Sequence, residues 1–251
     1  MGEATVKGGG QTRLVRQAAD GGPEGSGLRL SDGEVHFLYW FIQGSIMNPD
    51  TRRRLQGAWG FCQRHALAHL AVEFAFRRGW VHGCAVLYDD LMERAVRTVN
   101  SGRFGFWLAF RLRQTRPCLM CELGFGPNSP GLAPAELLAR GRETSRLRSF
   151  AAETLSYWRG FVCAQCTGRT PSPDAPRCRP HLLGDLRHRR PVHLGAQREL
   201  IGSIYSAVNR YSRSFRLELQ GTDTPADRAG LIAAMGWCSG WSAWLEFAAA
   251  I

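Results

Sequence analysis

Four short Cys/His spacings constrain this chain more than any other feature: Cys62-Gln63-Arg64-His65, Cys118-Leu119-Met120-Cys121, Cys163-Ala164-Gln165-Cys166 and Cys178-Arg179-Pro180-His181. Two ligands three positions apart, at a tight turn or a helix start, both reach one ion at about 2.0–2.3 Å without backbone strain, and two such pairs complete a tetrahedron. The arithmetic gives two closed sites, each with three sulfurs and one imidazole. A closed zinc site is structural, because no coordination position remains for water or substrate.

The ligands Cys163, Cys166, Cys178 and His181 lie within nineteen residues, joined by a connection that carries Pro171, Pro173 and Pro176, so they read as one Zn2+ site. Cys62 and His65 would meet Cys118 and Cys121 across 52 intervening residues, a distance that helices running out and back can close. A crossed arrangement, with Cys62/His65 joined to Cys163/Cys166 and Cys118/Cys121 joined to Cys178/His181, gives the same ligand types. Residue order leaves both pairings open, and with them one or two zinc ions. Cys84 and Cys238 have no neighbour at metal spacing and read as buried thiols. His69, one turn beyond His65, reads as a plain helix-surface or core histidine.

Length and composition bound the rest. With 251 residues and 44% hydrophobic content the chain can bury a real core. No run of eighteen apolar residues is present, and the first thirty residues lack the apolar middle of a secretory signal. These features predict a cytoplasmic protein with no membrane partner, in a compartment where paired cysteines hold metal rather than form disulfides. The formal charge of +11 comes almost wholly from arginine, Lys7 being the only lysine. Such a charge suits phosphates, and Arg177, Arg179, Arg187, Arg189 and Arg190 around the last half-site form a candidate nucleic-acid clamp. Arginines at a solvated helix end need no ligand, however.

The patterning predicts an all-α array with zinc-pinned turns at helix starts, behind a flexible, Gly-rich leader over residues 1–30. Residues 31–251 read as a single helical zinc-binding domain, or as two packed halves over 31–125 and 126–251. Ser31 and Glu34 form a capping box, and Asn48 or Asp50 starts a second helix. Further helices are expected over 62–78, 81–99, 103–112, 135–159, 181–186 and 197–219. A last helix runs from Pro225 to Trp237 behind Thr222 or Thr224. Trp237, Trp241 and Trp244 close the chain and read as core residues, the alternative for Trp237-Cys238-Ser239-Gly240-Trp241 being an exposed aromatic patch for a protein partner.

The run from Asn48-Pro49-Asp50 to Gly60-Phe61-Cys62-Gln63-Arg64-His65, then Tyr88-Asp89-Asp90-Leu91, a Cys-x2-Cys, and Cys178-Arg179-Pro180-His181-Leu182 resembles a bacterial family of uncharacterised helical proteins. Its members alternate Cys-x2-Cys with Gly-Phe-Cys-x2-His or Leu-Cys-x-Pro-His zinc half-sites. The resemblance spans about residues 34 to 245 and implies a helical zinc-binding fold with no assigned activity. This chain departs from the pattern at His36-Phe37-Leu38-Tyr39, where the family tends to place a first Cys-x2-Cys, and in the added pair Cys163/Cys166.

Two function classes follow. The first is a non-enzymatic module, stabilised by structural metal, that binds a protein or nucleic-acid partner. Four protein ligands per ion favour it, as does the lack of a glutamate within the metal motifs to act as a base. The second is an enzyme, either a zinc hydrolase with an incomplete site or a thiol redox protein using Cys118/Cys121 or Cys163/Cys166. A thioredoxin-like context would need alternating strands and helices, and no strand pattern is present.

Overall fold

The computed structural model describes residues 28–101 and 105–249; most of the expected leader, residues 1–27, lies outside them. The described residues contain helices and no strand, in the order α1 Asp32–Phe41, α2 Pro49–Ala58, α3 Gln63–Arg77, α4 His82–Ser101, α5 Gly105–Leu112, α6 Leu119–Glu122, α7 Ala135–Gly141, α8 Ser145–Trp158, α9 Arg179–Arg187, α10 Leu194–Arg213, α11 Pro225–Ser239 and α12 Ser242–Ala248.

Local chemistry sets many of the starts. The Ser31 hydroxyl accepts from Glu34 N while the Glu34 carboxylate accepts from Ser31 N, which closes the capping box of α1. Asn48 caps α2, and Thr224 with Asp227 boxes α11 behind Pro225. The leader ends earlier than residue 30, because Leu30 is buried in the core and its carbonyl accepts from Arg142 Nε. The helix expected over 135–159 is two helices. It breaks after Gly141, where a Cβ would stand 2.3 Å from Val35 Cγ1, and Arg142 turns toward residue 30. The tenth helix stops at Arg213 instead of running to 219, and α12 follows a break at Gly240, whose φ of 107° suits glycine.

Two helices form the hub. From His65 to Phe74 every residue of α3 is buried, and from Ala229 to Cys238 the same holds for α11. Around them pack α1, α4, α7, α8, α9, α10 and α12, so helices from both sides of residue 125 share one core. Small residues let α11 approach its neighbours. A Cβ at Gly230 would lie 2.5 Å from Val208 N and 2.6 Å from the Ala207 Cβ on α10. Gly230→Ala is therefore expected to destabilise by about 2–3 kcal/mol, although alanine gains about 1 kcal/mol in helix propensity. Urea unfolding of the two proteins reads the sign directly.

Candidate metal centres

Three of the four half-sites share one local design. Cys62, Cys118 and Cys178 occupy the N-cap positions of α3, α6 and α9, and His65, Cys121 and His181 sit three residues on. N-cap and third-position side chains face one another, the relation a capping box exploits, and here sulfur and imidazole replace hydroxyl and carboxylate. None of these cysteines makes a side-chain cap, because each sulfur is turned toward its cluster. The helix N-terminus beside each sulfur also favours the thiolate over the thiol. The fourth half-site, Cys163 and Cys166, lies on a tight turn closed by Cys166 N donating to Cys163 O and followed by Gly168 at φ 71°.

The chain brings Cys62, His65, Cys118 and Cys121 into one cluster and Cys163, Cys166, Cys178 and His181 into another; the crossed pairing is not the one adopted. In the first, His65 Nδ1 lies 3.3, 3.4 and 3.4 Å from the Sγ atoms of Cys62, Cys118 and Cys121, and Cys62 Sγ is 3.8 Å from Cys121 Sγ. In the second, His181 Nδ1 lies 3.3, 3.4 and 3.2 Å from Cys163, Cys166 and Cys178, with 3.8 Å between the sulfurs of Cys166 and Cys178. Bonds of about 2.3 Å to sulfur at tetrahedral angles require an S–S edge of about 3.8 Å. Both clusters thus have the size to hold a metal ion.

Each cluster favours a thiolate even before metal arrives. Hydrogen bonding from the Cys62 thiol, then from His65, outweighs burial and pulls Cys118 down to about 3. Cys62 itself is pushed up by the same Cys118 charge and by burial. In the second cluster Cys166 and Cys178 donate to Cys163 and hold it far below the ordinary thiol range, while Cys178 is pushed up in return. Metal binding must displace the remaining thiol protons, so uptake is coupled to proton release.

The first cluster has a partner that the sequence reading assigned only to capping. Glu34 is fully buried, and its Oε1 lies 3.3 Å from His65 Nε2. Arg64 Nε and Nη2 donate to the same carboxylate at 2.6 and 2.8 Å, and Ser31 N donates at 2.8 Å. Burial raises the Glu34 pKa, but His65, Arg64 and Ser31 together bring it down to about 2. A carboxylate behind the distal ring nitrogen fixes the tautomer and orientation of a ligating histidine, and its loss commonly weakens metal binding by about 10–100-fold. Glu34→Gln is expected to weaken the first site by that factor and leave the second unchanged, as read by competition with a chromophoric chelator.

Arg177, the neighbour of Cys178 in the chain, ties the loop that carries the second cluster to α9. Its Nε donates to Asp185 Oδ2 at 2.8 Å, Nη1 to Ala175 O at 2.7 Å and Nη2 to Ser172 O at 3.0 Å, while Gln165 Nε2 also donates to Asp185. Arg179 is equally committed, to Cys238 O at 2.8 Å and Leu112 O at 3.1 Å, near the C-terminal ends of α11 and α5. Arg177 and Arg179 are therefore corrected from phosphate contacts to internal braces, being 1% and 5% exposed. Arg187, Arg189 and Arg190 remain on the surface.

His69 lies outside the two four-residue Cys/His clusters and forms a third, fully buried group with Glu73 and Cys84, whose ligand atoms lie within 4.8 Å of one another. Its Nδ1 is 3.3 Å from Cys84 Sγ, and burial drives its pKa down to about 3, so the ring is neutral. Glu73 accepts from the N–H groups of Gly83 and Cys84, both at 2.8 Å, and so caps the first turn of α4. Spacing analysis missed this grouping because Cys84 is remote in sequence from the α3 residues that meet it. Cys238 is also buried, and burial lifts its pKa to about 12. No protein-family model, curated protein or solved structure matches the chain.

Proposed function

We propose that this chain is a zinc-structured helical module whose role is to present an interaction surface, and that it belongs with the bacterial helical proteins it resembles. One observation carries the reading: both clusters supply four ligand atoms, with no carboxylate or vacant corner among them. Three thiolates and one imidazole select Zn(II) over the hard cations, and a closed tetrahedron leaves nowhere for substrate to coordinate. A reducing, cytoplasmic setting fits thiolates kept for metal.

Reconstitution with cobalt tests this. Closed sites give tetrahedral thiolate–cobalt absorption that does not change when azide is added. A spectrum that shifts with azide would reveal an open position and move the protein toward hydrolytic chemistry.

A further inference from the structure

The aromatic residues of α5 do not join the core. Leu108, Ala109 and Leu112 are buried, whereas Phe106, Trp107 and Phe110 are 70%, 50% and 53% exposed. Their rings form one cluster, with centroids of Phe106 and Trp107 6.5 Å apart and those of Trp107 and Phe110 6.1 Å apart at 75°. The Arg113 guanidinium sits 4.0 Å over the Phe110 ring. No acidic residue occurs between Gly105 and Cys121, and Arg111, Arg113 and Arg116 are all exposed. This segment therefore carries three exposed aromatic rings and, within six residues of Phe110 in sequence, three exposed arginines, of which Arg113 covers the Phe110 ring, on a chain of net charge +11.

Contiguous exposed aromatic surface marks a site of contact, and here the charge around it says with what. Aromatic bodies settle at the boundary between lipid headgroups and acyl chains, and guanidinium groups beside them meet lipid phosphates. We propose that α5 docks the protein on an anionic phospholipid surface, with Phe106, Trp107 and Phe110 inserted and Arg111, Arg113 and Arg116 on the phosphates. This rests on the reading of the chain as a zinc-held interaction module. Among the described residues no helix is long and apolar enough to cross a membrane, but a helix lying in the interface has no such length requirement.

Other partners fit the geometry less well. A nucleic-acid platform needs open ring faces for bases to stack on. Arg113 covers one face of Phe110, and Trp107 meets Phe110 edge to face. A second copy of the chain docked on the same patch would set these arginines against their own counterparts across a two-fold axis.

Co-sedimentation of the full zinc-loaded chain with vesicles tests the assignment. Vesicles of equal parts phosphatidylcholine and phosphatidylglycerol are expected to bind it, and those of phosphatidylcholine alone to bind more than about tenfold more weakly. The variant F106A/W107A/F110A, and separately Arg111→Gln/Arg113→Gln/Arg116→Gln, should each lose more than about tenfold in binding, since one arginine near such a surface is worth about fivefold. The altered side chains are exposed, so unchanged zinc content and circular dichroism will separate a failed docking surface from a failed zinc scaffold. The proposal is overturned if the zinc-loaded protein ignores both vesicles, or if both variants bind like the parent. It is equally overturned if the aromatic variant instead loses self-association or binding to a single-stranded oligonucleotide while vesicles are ignored.

Discussion

Cys178→Ser is expected to leave one zinc ion per chain in place of two and to lower the stability of the fold by more than about 5 kcal/mol. The substitution barely changes side-chain volume, so the effect isolates the ligand. Residues from Val162 to Arg177 contain one short 3-10 turn, Gln165–Thr167, and are otherwise held by turn and loop hydrogen bonds, among them Ala164 N to Pro176 O at 3.0 Å. Structural zinc contributes about 10–16 kcal/mol of apparent binding free energy in small metal-held peptides, comparable to the whole stability of a domain at about 5–15 kcal/mol. Cys178 is 1% exposed at the start of α9, whose next residue, Arg179, braces α5 and α11. Losing an ion held there would therefore loosen a junction of three helices. Metal analysis together with chemical unfolding checks both halves of the expectation. A variant that keeps two zinc ions and parental stability would remove Cys178 from the ligand set.

The second large effect is expected from Arg177→Met, at about 3–5 kcal/mol. Both members of its ion pair are buried, with side chains 1% and 2% exposed for Arg177 and Asp185. Removing the guanidinium leaves Asp185 with Gln165 and an exposed, longer contact from Arg190 at 3.7 Å, and it takes one of two donors from each of the Ser172 and Ala175 carbonyls, which keep Ala175 N and Gln197 Nε2. The larger share of the penalty is the uncompensated buried carboxylate. Arg177→Met combined with Asp185→Leu should recover much of the loss, because an apolar pair of similar volume often replaces a buried ion pair at little cost. A double-mutant cycle in urea measures this, with zinc content expected to remain at two ions in every member.

How much of this the sequence revealed depends on how local each feature is. The caps are chemistry within three or four residues, so Ser31 could be read directly, while the second and last helices were each narrowed to two caps, Asn48 or Asp50 and Thr222 or Thr224, of which the fold uses Asn48 and Thr224. The ligand spacings were equally local, which is why the eight cluster residues could be named, while their pairing depended on how α3 and α6 meet in space. At the break after Gly141, what the sequence could not show is the close approach of Val35, a residue of another helix, to that glycine. Glu34 shows the same limit from the other side. Its capping role lies within three residues, but its contact with His65 spans thirty-one positions of chain and is set by the packing of α1 on α3. Arginine counting failed at Arg177 and Arg179 because charge in a sequence says nothing about which carbonyls the fold turns toward it.

Metal content per chain, on protein purified without added zinc and followed by thiol titration before and after chelation, tests most directly the proposal that the two Cys/His clusters hold zinc. Two zinc ions are expected, with the six cluster cysteines of the eight in the chain shielded from reagent until chelator is added. Less than one zinc per chain, together with a reducible disulfide within Cys118/Cys121 or Cys163/Cys166, would contradict the structural-zinc reading and favour thiol redox chemistry.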